Sequence, residues 1–537
     1  MRGVASLLLV LLLFSNVSKS QVVFQPLTSS IYEYIDEMAN IGYIEINSVV
    51  KPYSRKLIAS KLNELVAVKD TLNKRQLGEL QFFLQDYNKE LVQIKKEFKK
   101  RLDMFYYGDS LFAITVNPIG GGKTIVNENG YAYHRWSGAE LYGSIGKHFG
   151  FSMSLRDNGI SQDLYSKDFL VQEQGGNYKI VPGGDRNYEF SEVYGALTYS
   201  WDWGSTSIRK DNFTWGNNYN GANIFSGRTP TFAYLHLKLT PTKWFDFNYY
   251  HGYLVSEAID SSATYWIDGQ RRRAFFSKYI AANIFTLKPF KAINVSAGNS
   301  IIYSDQGVNP AYLIPFLFYK SVDHTYNGTG ANDLGQNSQM FGDISIRTIP
   351  KTHIYATLYF DELSISNSLD KENHTNIYSG KIGIRASNLI PNTTLTFEYT
   401  RNSPWVYRHQ IPQTRFSSNQ YNLGHYLRDN SQETYGSISF KPLPNLFIEV
   451  SFTEILKGID DYTVINGIAQ VAGSVFMEQI DWVQKEVSLK IIYEPLNDVR
   501  IYTQYKKTDN SGLSSMYAPE IYQGNTNSFI GGVNFGF

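Results

Sequence analysis

Aromatic and cationic side chains crowd together in three stretches of this sequence. The first, from about Asn402 to Asn430, carries Trp405, Tyr407, Arg408, His409, Arg415, His425 and Arg428. A second, from about Asp211 to Thr229, carries Phe213, Trp215, Asn217, Asn218, Tyr219 and Arg228, and a third holds Tyr265, Trp266, Arg271, Arg272 and Arg273. Aromatic faces stack on C–H-rich surfaces, while amides and guanidinium groups pair with hydroxyls and carboxylates. Together they provide the chemistry of sugar recognition, with Arg and Lys suited to acidic sugars. For an isolated Trp or Tyr in such a chain, an interfacial girdle is the commoner explanation. In the Trp405–Arg428 stretch the density of both residue types favours ligand contact.

Signals for catalysis and metal binding are poor. The sequence contains no GxSxG elbow, no HExxH pair and no phosphate-binding glycine loop. It has no cysteine, which removes thiolate zinc sites, iron–sulfur clusters and cysteine nucleophiles. His134, His148, His251 and His353 fall at strand or turn positions and read as structural. Asp361, Glu362 and Glu398 fall on strands whose polar face would be inward, where pairing with Arg is the ordinary expectation. The chain reads as a non-enzyme without metal or cofactor. Its net charge of +1 argues against nucleic acid as a partner.

The elements that would position the aromatic–cation stretches are strands. From about Leu111 onward the hydrophobic period is two. Ala233, Leu235, Leu237 and Leu239 alternate with Tyr234, His236 and Lys238; Phe245, Phe247 and Tyr249 alternate with Asp246, Asn248 and Tyr250. The pattern returns over Ile354–Asp361 and Leu446–Thr453. One apolar face opposite a polar or tyrosine-rich face is what a lipid-facing wall around a wet lumen requires. An aromatic content of 15% with a slightly negative mean hydropathy fits the same architecture. Short turns at Pro241, Pro289, Pro350, Pro391, Pro442 and Pro495, with others near Lys147 and Gly204, make about eight, hence nine hairpins and about eighteen strands. The final strand alternates Phe529, Gly531, Val533 and Phe535 and stops on Phe537, an ending that barrel-assembly machinery reads. The fold expected is mainly β: a transmembrane antiparallel β-barrel over 108–537.

Two segments precede the barrel. Arg2, the apolar run Val4–Phe14 and Ser18-Lys19-Ser20 read as a signal peptide over 1–20, too short to span a bilayer as a helix. Residues 21–107 read as a small periplasmic helical bundle. Ser29 or Ser30 caps a helix bearing Ile31, Tyr34, Ile35 and Met38 and stopped by Gly42; Ser54 caps a second with Leu57, Ile58, Leu62 and Leu65 inward. Thr71 opens a third running to about Phe98, whose basic end, Lys95 to Arg101, is an exposed face near the lipid headgroups or a complement to the helix dipole. The stretch Ala311–Phe318 (AYLIPFLF) is too apolar for a wet loop. Tyr312, Leu313, Pro315 and Phe316 are therefore expected to fold inward and constrict the lumen.

Several stretches together resemble the Wzi-like capsule-assembly family of outer-membrane proteins. They are Ile31–Lys51, Phe213–Pro230 (FTWGNNYNGANIFSGRTP), Asn309–Tyr319 (NPAYLIPFLFY), Phe397–His409 (FEYTRNSPWVYRH) and Asn422–His425 (NLGH), in that order. The resemblance implies an eighteen-stranded barrel with a periplasmic helical bundle, located in the outer membrane of a Gram-negative bacterium. It implies a lectin-like anchor for capsular or exopolysaccharide. The partners it suggests are that polymer, outer-membrane lipid and polysaccharide-export proteins. The candidate glycan contacts are Trp405, Tyr407, Arg408, His409, Arg415, His425, Arg428, Trp215, Tyr219 and Arg228. A porin or channel for small solutes or oligosaccharides is the alternative, and a structural barrel that docks an export apparatus is a third reading.

Overall fold

A computed structural model describes residues 22–90, 101–109, 111–177, 187–328, 335–363, 376–459 and 475–536, with the backbone of 179–180, 464–465 and 468–469. The signal-peptide residues 1–20, the basic stretch Lys95–Lys100 and the terminal Phe537 lie outside the described residues.

Eighteen antiparallel strands close into a barrel. In chain order they are β1 (Phe112–Asn127), β2 (Gly130–Ile145), β3 (Phe149–Ser161), β4 (Asn187–Trp201), β5 (Gly204–Asp211), β6 (Phe232–Thr242), β7 (Phe245–Tyr253), β8 (Lys278–Phe290) and β9 (Ile293–Ser304). The second half comprises β10 (Asn337–Ile346), β11 (Thr352–Glu362), β12 (Ile377–Ser387), β13 (Thr393–Asn402), β14 (Ser431–Leu443), β15 (Leu446–Gly458), β16 (Ile480–Leu496), β17 (Val499–Gly512) and β18 (Asn525–Phe535). β18 closes on β1 with Phe529 opposite Val126 and Phe535 opposite Gly120. Closure leaves no free sheet edge in the wall.

Eight short turns gather at one end of the barrel, here the turn end, and the long connections gather at the other, the loop end. Pro241, Pro289, Pro442 and Pro495 each sit inside a register shift next to a turn, between Leu239 and Thr242, Leu287 and Phe290, Phe440 and Leu443, and Tyr493 and Leu496. Proline cannot donate to the ladder, so it is accommodated where a bulge has already broken the pairing. Leu235, Leu358, Val450 and Phe452 all stand exposed on the outer face. Their strand neighbours Tyr234, Tyr359 and Asp361 point into the lumen, toward the loops that fill it. The outer belt and the alternation are those expected of a lipid-facing wall. Among the described residues no helix is long and apolar enough to cross a membrane.

Helices α1 (Ile31–Ile41), α2 (Arg55–Ala67) and α3 (Lys74–Tyr87) share a core of Ile31, Tyr34, Ile35, Met38, Ile58, Leu62, Leu65, Leu80 and Leu84. Gly42, at φ 95°, ends α1 in the left-handed conformation that glycine adopts without steric cost. Ser54 caps α2 by accepting from Leu57 N–H at 3.2 Å. Three local expectations fail. Ser30 makes no capping bond; α3 starts after Asn73 rather than Thr71, because Asn73 and Gln76 form a reciprocal capping box; and α3 ends at Tyr87, with Asn88 as its C-cap, short of the Phe98 expected. Arg101, read from sequence as part of an exposed basic face, is only 9% exposed. It pairs with Asp86 and Asp103 at 3.2 Å each and with Asp498 of the turn between β16 and β17.

The helical unit is seated on the turn end by further polar links. Arg347 donates to Asn40 at 2.8 Å and Ser48 at 3.0 Å, Lys441 meets Glu79 at 2.9 Å, and Arg385 pairs with Glu33. From this unit the chain climbs into the lumen, where Val50–Lys51 pairs antiparallel with Thr214–Trp215 of the β5–β6 loop.

Candidate functional site

The β5–β6 loop (212–231) folds down into the barrel and is held there by carboxylates and hydroxyls of the wall. Asp343 on β10 accepts from the backbone N–H of Asn217 at 2.8 Å and from its side-chain amide. Glu398 on β13 accepts from the consecutive N–H groups of Tyr219 (2.7 Å) and Asn220 (2.9 Å), from the Tyr355 hydroxyl, and from Lys381 at 2.8 Å. Glu433 on β14 takes the Asn220 amide, and Asn223 donates to Ser379 at 2.6 Å. Gly216, at φ 95°, brings the backbone so close to the wall that an added Cβ would stand 3.1 Å from the Thr357 methyl. Glu398 is thus satisfied by backbone, hydroxyl and Lys donors, and Asp361 by the Tyr407 N–H and the Tyr359 hydroxyl, rather than by the Arg partners expected from sequence.

Between the loop and strands β6–β11 lies an apolar core that includes Trp215, Phe213, Ile224, Tyr250, Ile280, Ile284, Ile302 and Phe341. Apolar side chains fill the lumen here. The reason lies in strands such as β8, where Ile280, Ala282 and Ile284 point inward while Tyr279, Ala281 and Phe285 point outward, so both faces are apolar apart from the outward Asn283. On the opposite side the lumen retains a cavity of about 480 Å³ beside Glu140, Tyr142, Arg156, Glu173, Tyr194 and Asp498.

Trp215 and Arg228, expected as sugar contacts, are therefore buried at 0% and 3% exposure. Arg228 crosses to the Phe169 carbonyl at 2.7 Å and stacks over Tyr421, tying loops together. Tyr219 lies in the lumen, its hydroxyl 3.0 Å from His353 Nδ1. Tyr312, Leu313, Pro315 and Phe316, expected to narrow the lumen, instead lie on the outer face of the wall. Tyr249 and Phe247 of β7, which point away from the lumen, meet Tyr312 and Phe316 there.

The residues that do converge at the loop end come from the β13–β14 loop (403–430). Tyr407, Arg408, Arg415 and Arg428 line a cleft of about 550 Å³ together with Asp168, Glu257, Lys278, Gln413, Asn422 and Asp429. That volume falls within the range of ligand pockets. Six non-glycine residues of the loop have positive φ: Trp405, Tyr407, Asn419, Gln420, Arg428 and Asn430. Each costs on the order of 1–3 kcal/mol and persists only where the surroundings over-determine it. The surroundings here do so. Tyr407 donates its hydroxyl to the Asn223 carbonyl at 2.7 Å and its N–H to Asp361, while Asn430 N–H reaches Ser403 O at 3.0 Å.

Charge in the cleft is unbalanced. Arg408 holds Asp429 at 2.5 Å, and Asp429 is also approached by Lys457 at 3.6 Å. The Arg415 side chain makes no hydrogen bond or ion pair among the described residues, and Asp429, already held by Arg408, attracts it only weakly. Burial, then repulsion from Arg408, pushes its pKa down, although a guanidinium stays protonated under all ordinary conditions. Trp405 packs half-buried against the lumen core. His409 Nδ1 lies 2.7 Å from Thr414 Oγ1 and accepts from Ile411 N–H at 3.3 Å; burial pushes its pKa down to about 4. His425 is fully buried below the cleft, 3.3 Å from the Asn402 amide.

At the cleft's edge Val255–Ala258 leads into a hairpin, Ile259–Ile267 and Gln270–Phe275, that stands out from the loop end. Trp266 is 71% exposed and pairs across the hairpin with Arg271, as Tyr265 does with Arg272. Asp168, Glu257 and Lys278 carried no sequence signal. They reach the cleft from other loops and a strand end, through contacts such as Lys167–Glu257 at 2.5 Å.

No protein-family model matches the chain, and no curated protein does. Similarity is found among solved structures. Over 96% of this chain and 99% of its own length, Wzi of Escherichia coli superposes with a TM-score of 0.59 at 13% identity. It is described as an outer-membrane protein involved in group 1 capsule assembly and a carbohydrate-binding β-barrel. OccAB2 of Acinetobacter baumannii covers 80% of this chain and 99% of its own length, with a TM-score of 0.44 and 10% identity. OccD3 (OpdP) of Pseudomonas aeruginosa covers 83% and 96%, with a TM-score of 0.42 and 11% identity. In fold, this chain is similar to the Wzi barrel, with a closed wall of eighteen antiparallel strands preceded by a helical unit.

Proposed function

We propose that the protein spans the outer membrane of a Gram-negative cell and anchors an anionic surface polysaccharide at its loop end, with the helical unit in the periplasm. The observation that carries this reading is the cleft in which Arg415 lies beside Arg408 with no ion pair of its own, the nearby Asp429 being taken by Arg408. A ligand carboxylate placed between the two guanidinium groups would relieve their repulsion and accept planar, charge-assisted hydrogen bonds. The Trp266–Arg271 and Tyr265–Arg272 pairs on the adjacent hairpin offer stacking faces with cations beside them, suited to further units of the same polymer. Weak contacts repeated along a polymer sum by avidity, so low affinity for each repeat suffices. The likeness in fold to Wzi, itself described as a carbohydrate-binding β-barrel, supports the same reading.

The role is binding rather than catalysis: the cleft carboxylates Asp429 and Glu257 are engaged by Arg408 and Lys167, and Asp168 lies 3.9 Å from Arg428. The barrel belt contacts outer-membrane lipid, the C-terminal strand serves the assembly machinery, and the helical unit faces any export proteins. The test is binding of purified protein to acidic and neutral polysaccharides. A variant carrying both Arg408→Ala and Arg415→Ala should lose about 10- to 100-fold in affinity for the acidic polymers, since a charged hydrogen bond is worth about 1.5–3 kcal/mol. Unchanged binding would sink the assignment. A channel for small solutes is the second reading, favoured by the lumen cavity of about 480 Å³ beside Arg156 and Glu173. Large, steady conductance of the wild-type protein in planar bilayers would decide for it.

A further inference from the structure

We propose that the segment Pro310–Phe318 is immersed in the bilayer, lying on the outside of the barrel with lipid acyl chains as its partner. The β9–β10 connection leaves the loop end at Ser304 and turns back down the outer wall. Tyr312 is fully buried there, its ring 4.7 Å from that of Tyr303, and its carbonyl accepts from the Tyr249 hydroxyl at 2.8 Å. Deeper still, the Phe316 ring stacks 4.7 Å from Phe247, which is the third of nine residues in β7 counted from the turn end. The segment therefore descends past the middle of the wall before helix α4 (Tyr319–Asn327) carries the chain back.

Irregular backbone is excluded from hydrocarbon unless its polar groups are satisfied by protein. Two asparagines at outward-facing positions of the wall do this. Asn283 donates to the carbonyls of Pro315 (2.9 Å) and Leu317 (3.0 Å), and Asn299 donates to Leu317 at 3.3 Å and to Asn283 at 2.8 Å. Asn299 also accepts from the N–H of Tyr319 at 2.9 Å. Bare asparagines at these belt positions would be costly in lipid, so segment and wall satisfy each other.

What the segment presents outward is apolar: Leu313, Ile314, Phe316 and Phe318 are all exposed. They continue the belt formed on the same wall by Leu235, Leu287 and Val295. The exposed face of α4, by contrast, is polar at Ser321, His324 and Thr325 and carries Tyr326, whose amphipathic ring suits the headgroup level. The helix is tied near the loop end through Asp323, which accepts from Gln336 N–H at 3.1 Å. Apolar at depth and polar above, the excursion matches the profile of one leaflet from acyl chains to headgroups.

The chain has no cysteine, so single probes can be placed without background. Phe316→Cys and, as a second variant, Leu313→Cys would be labelled with a small fluorophore and reconstituted in phosphatidylcholine vesicles. Leu235→Cys marks the belt and Trp266→Cys marks water. Quenching by a lipid with a mid-chain nitroxide should match that at Leu235, with little quenching by a water-soluble nitroxide. Quenching like that at Trp266 would overturn the proposal. So would protection from both quenchers accompanied by cysteine cross-linked dimers, which would make a second copy the occupant.

Discussion

Replacing Glu398 by alanine should loosen the loop 212–231 from the lumen wall. The carboxylate is 1% exposed; it faces the fully buried Lys381 ammonium and accepts two consecutive backbone N–H groups of the loop. Removing one partner of a buried ion pair costs about 3–5 kcal/mol, because the remaining charge is left uncompensated. The orphaned N–H groups of Tyr219 and Asn220 add roughly 1–3 kcal/mol each if they stay dry. These terms do not add fully, since the loop moves to rehydrate, and about 5 kcal/mol is a conservative total. At about 1.4 kcal/mol per power of ten, the open population of the loop rises between three and four powers of ten. Hydrogen exchange measured by mass spectrometry on protein in lipid nanodiscs reads this population directly, because the protected amides exchange through opening. Peptides covering 212–231 should exchange faster by that order, up to the limit set by global opening, while the wall strands β16 and β17 stay protected. Unchanged exchange in 212–231 would refute the claim that Glu398 anchors the loop.

Other perturbations separate the cleft from the scaffold. Arg415→Ala alone should weaken binding of an acidic polysaccharide without changing thermal stability, as its guanidinium makes no hydrogen bond or ion pair among the described residues; a lowered Tm with intact binding in calorimetry would contradict this. Acid should loosen the β13–β14 loop. His409 stays neutral in the folded protein down to about pH 4, while its unfolded form takes up a proton below about 6.5. The unfolded state therefore binds more protons across that window, and loop stability is complete above pH 6.5 and falls as the pH drops toward 4. His409→Gln should flatten that part of the pH profile of polymer binding. Arg101→Ala should release the helical unit from the turn end, since it leaves Asp86, Asp103 and Asp498 facing one another in a buried site. Burial opposes ionisation of Asp86, but Arg55 and then Arg101 outweigh it and hold the carboxyl well below the usual range. The loss should be about 3–5 kcal/mol, seen as proteolysis of residues 22–90 under conditions in which the barrel remains intact; equal resistance of the variant and the wild-type protein would count against it.

The wall was legible in the sequence because its signals are local. Alternation in β6, β7, β11 and β15 and the prolines beside the turns each fall within a dozen residues, and they led directly to eight turns and eighteen strands. The helices were legible for the same reason, apart from Asn73, whose capping box outcompeted Thr71. The filling of the lumen was not legible. Loop 212–231 is fixed by Asp343, Glu398 and Glu433, each more than a hundred residues away, and an exposed aromatic loop and a buried one have the same composition. Apolarity showed that Ala311–Phe318 avoids water but not whether protein or lipid replaces it. The signal that separates the two was present: Asn283 and Asn299 fall on the outward register of β8 and β9, where a polar residue needs a partner. In the cleft, Tyr407, Arg408, Arg415 and Arg428 were found from the density of aromatic and cationic residues. Trp215 and Arg228 shared that density, yet their side chains pack into the lumen core and between loops.

The most direct test of the anchoring role compares cell-attached with released polysaccharide in a deletion strain complemented either with the wild-type protein or with the variant carrying Arg408→Ala and Arg415→Ala. The account predicts that the deletion strain still makes the polymer but sheds it into the medium, that the wild-type protein restores attachment, and that the variant reaches the membrane yet restores it poorly. Attachment unchanged by the deletion would contradict the central claim.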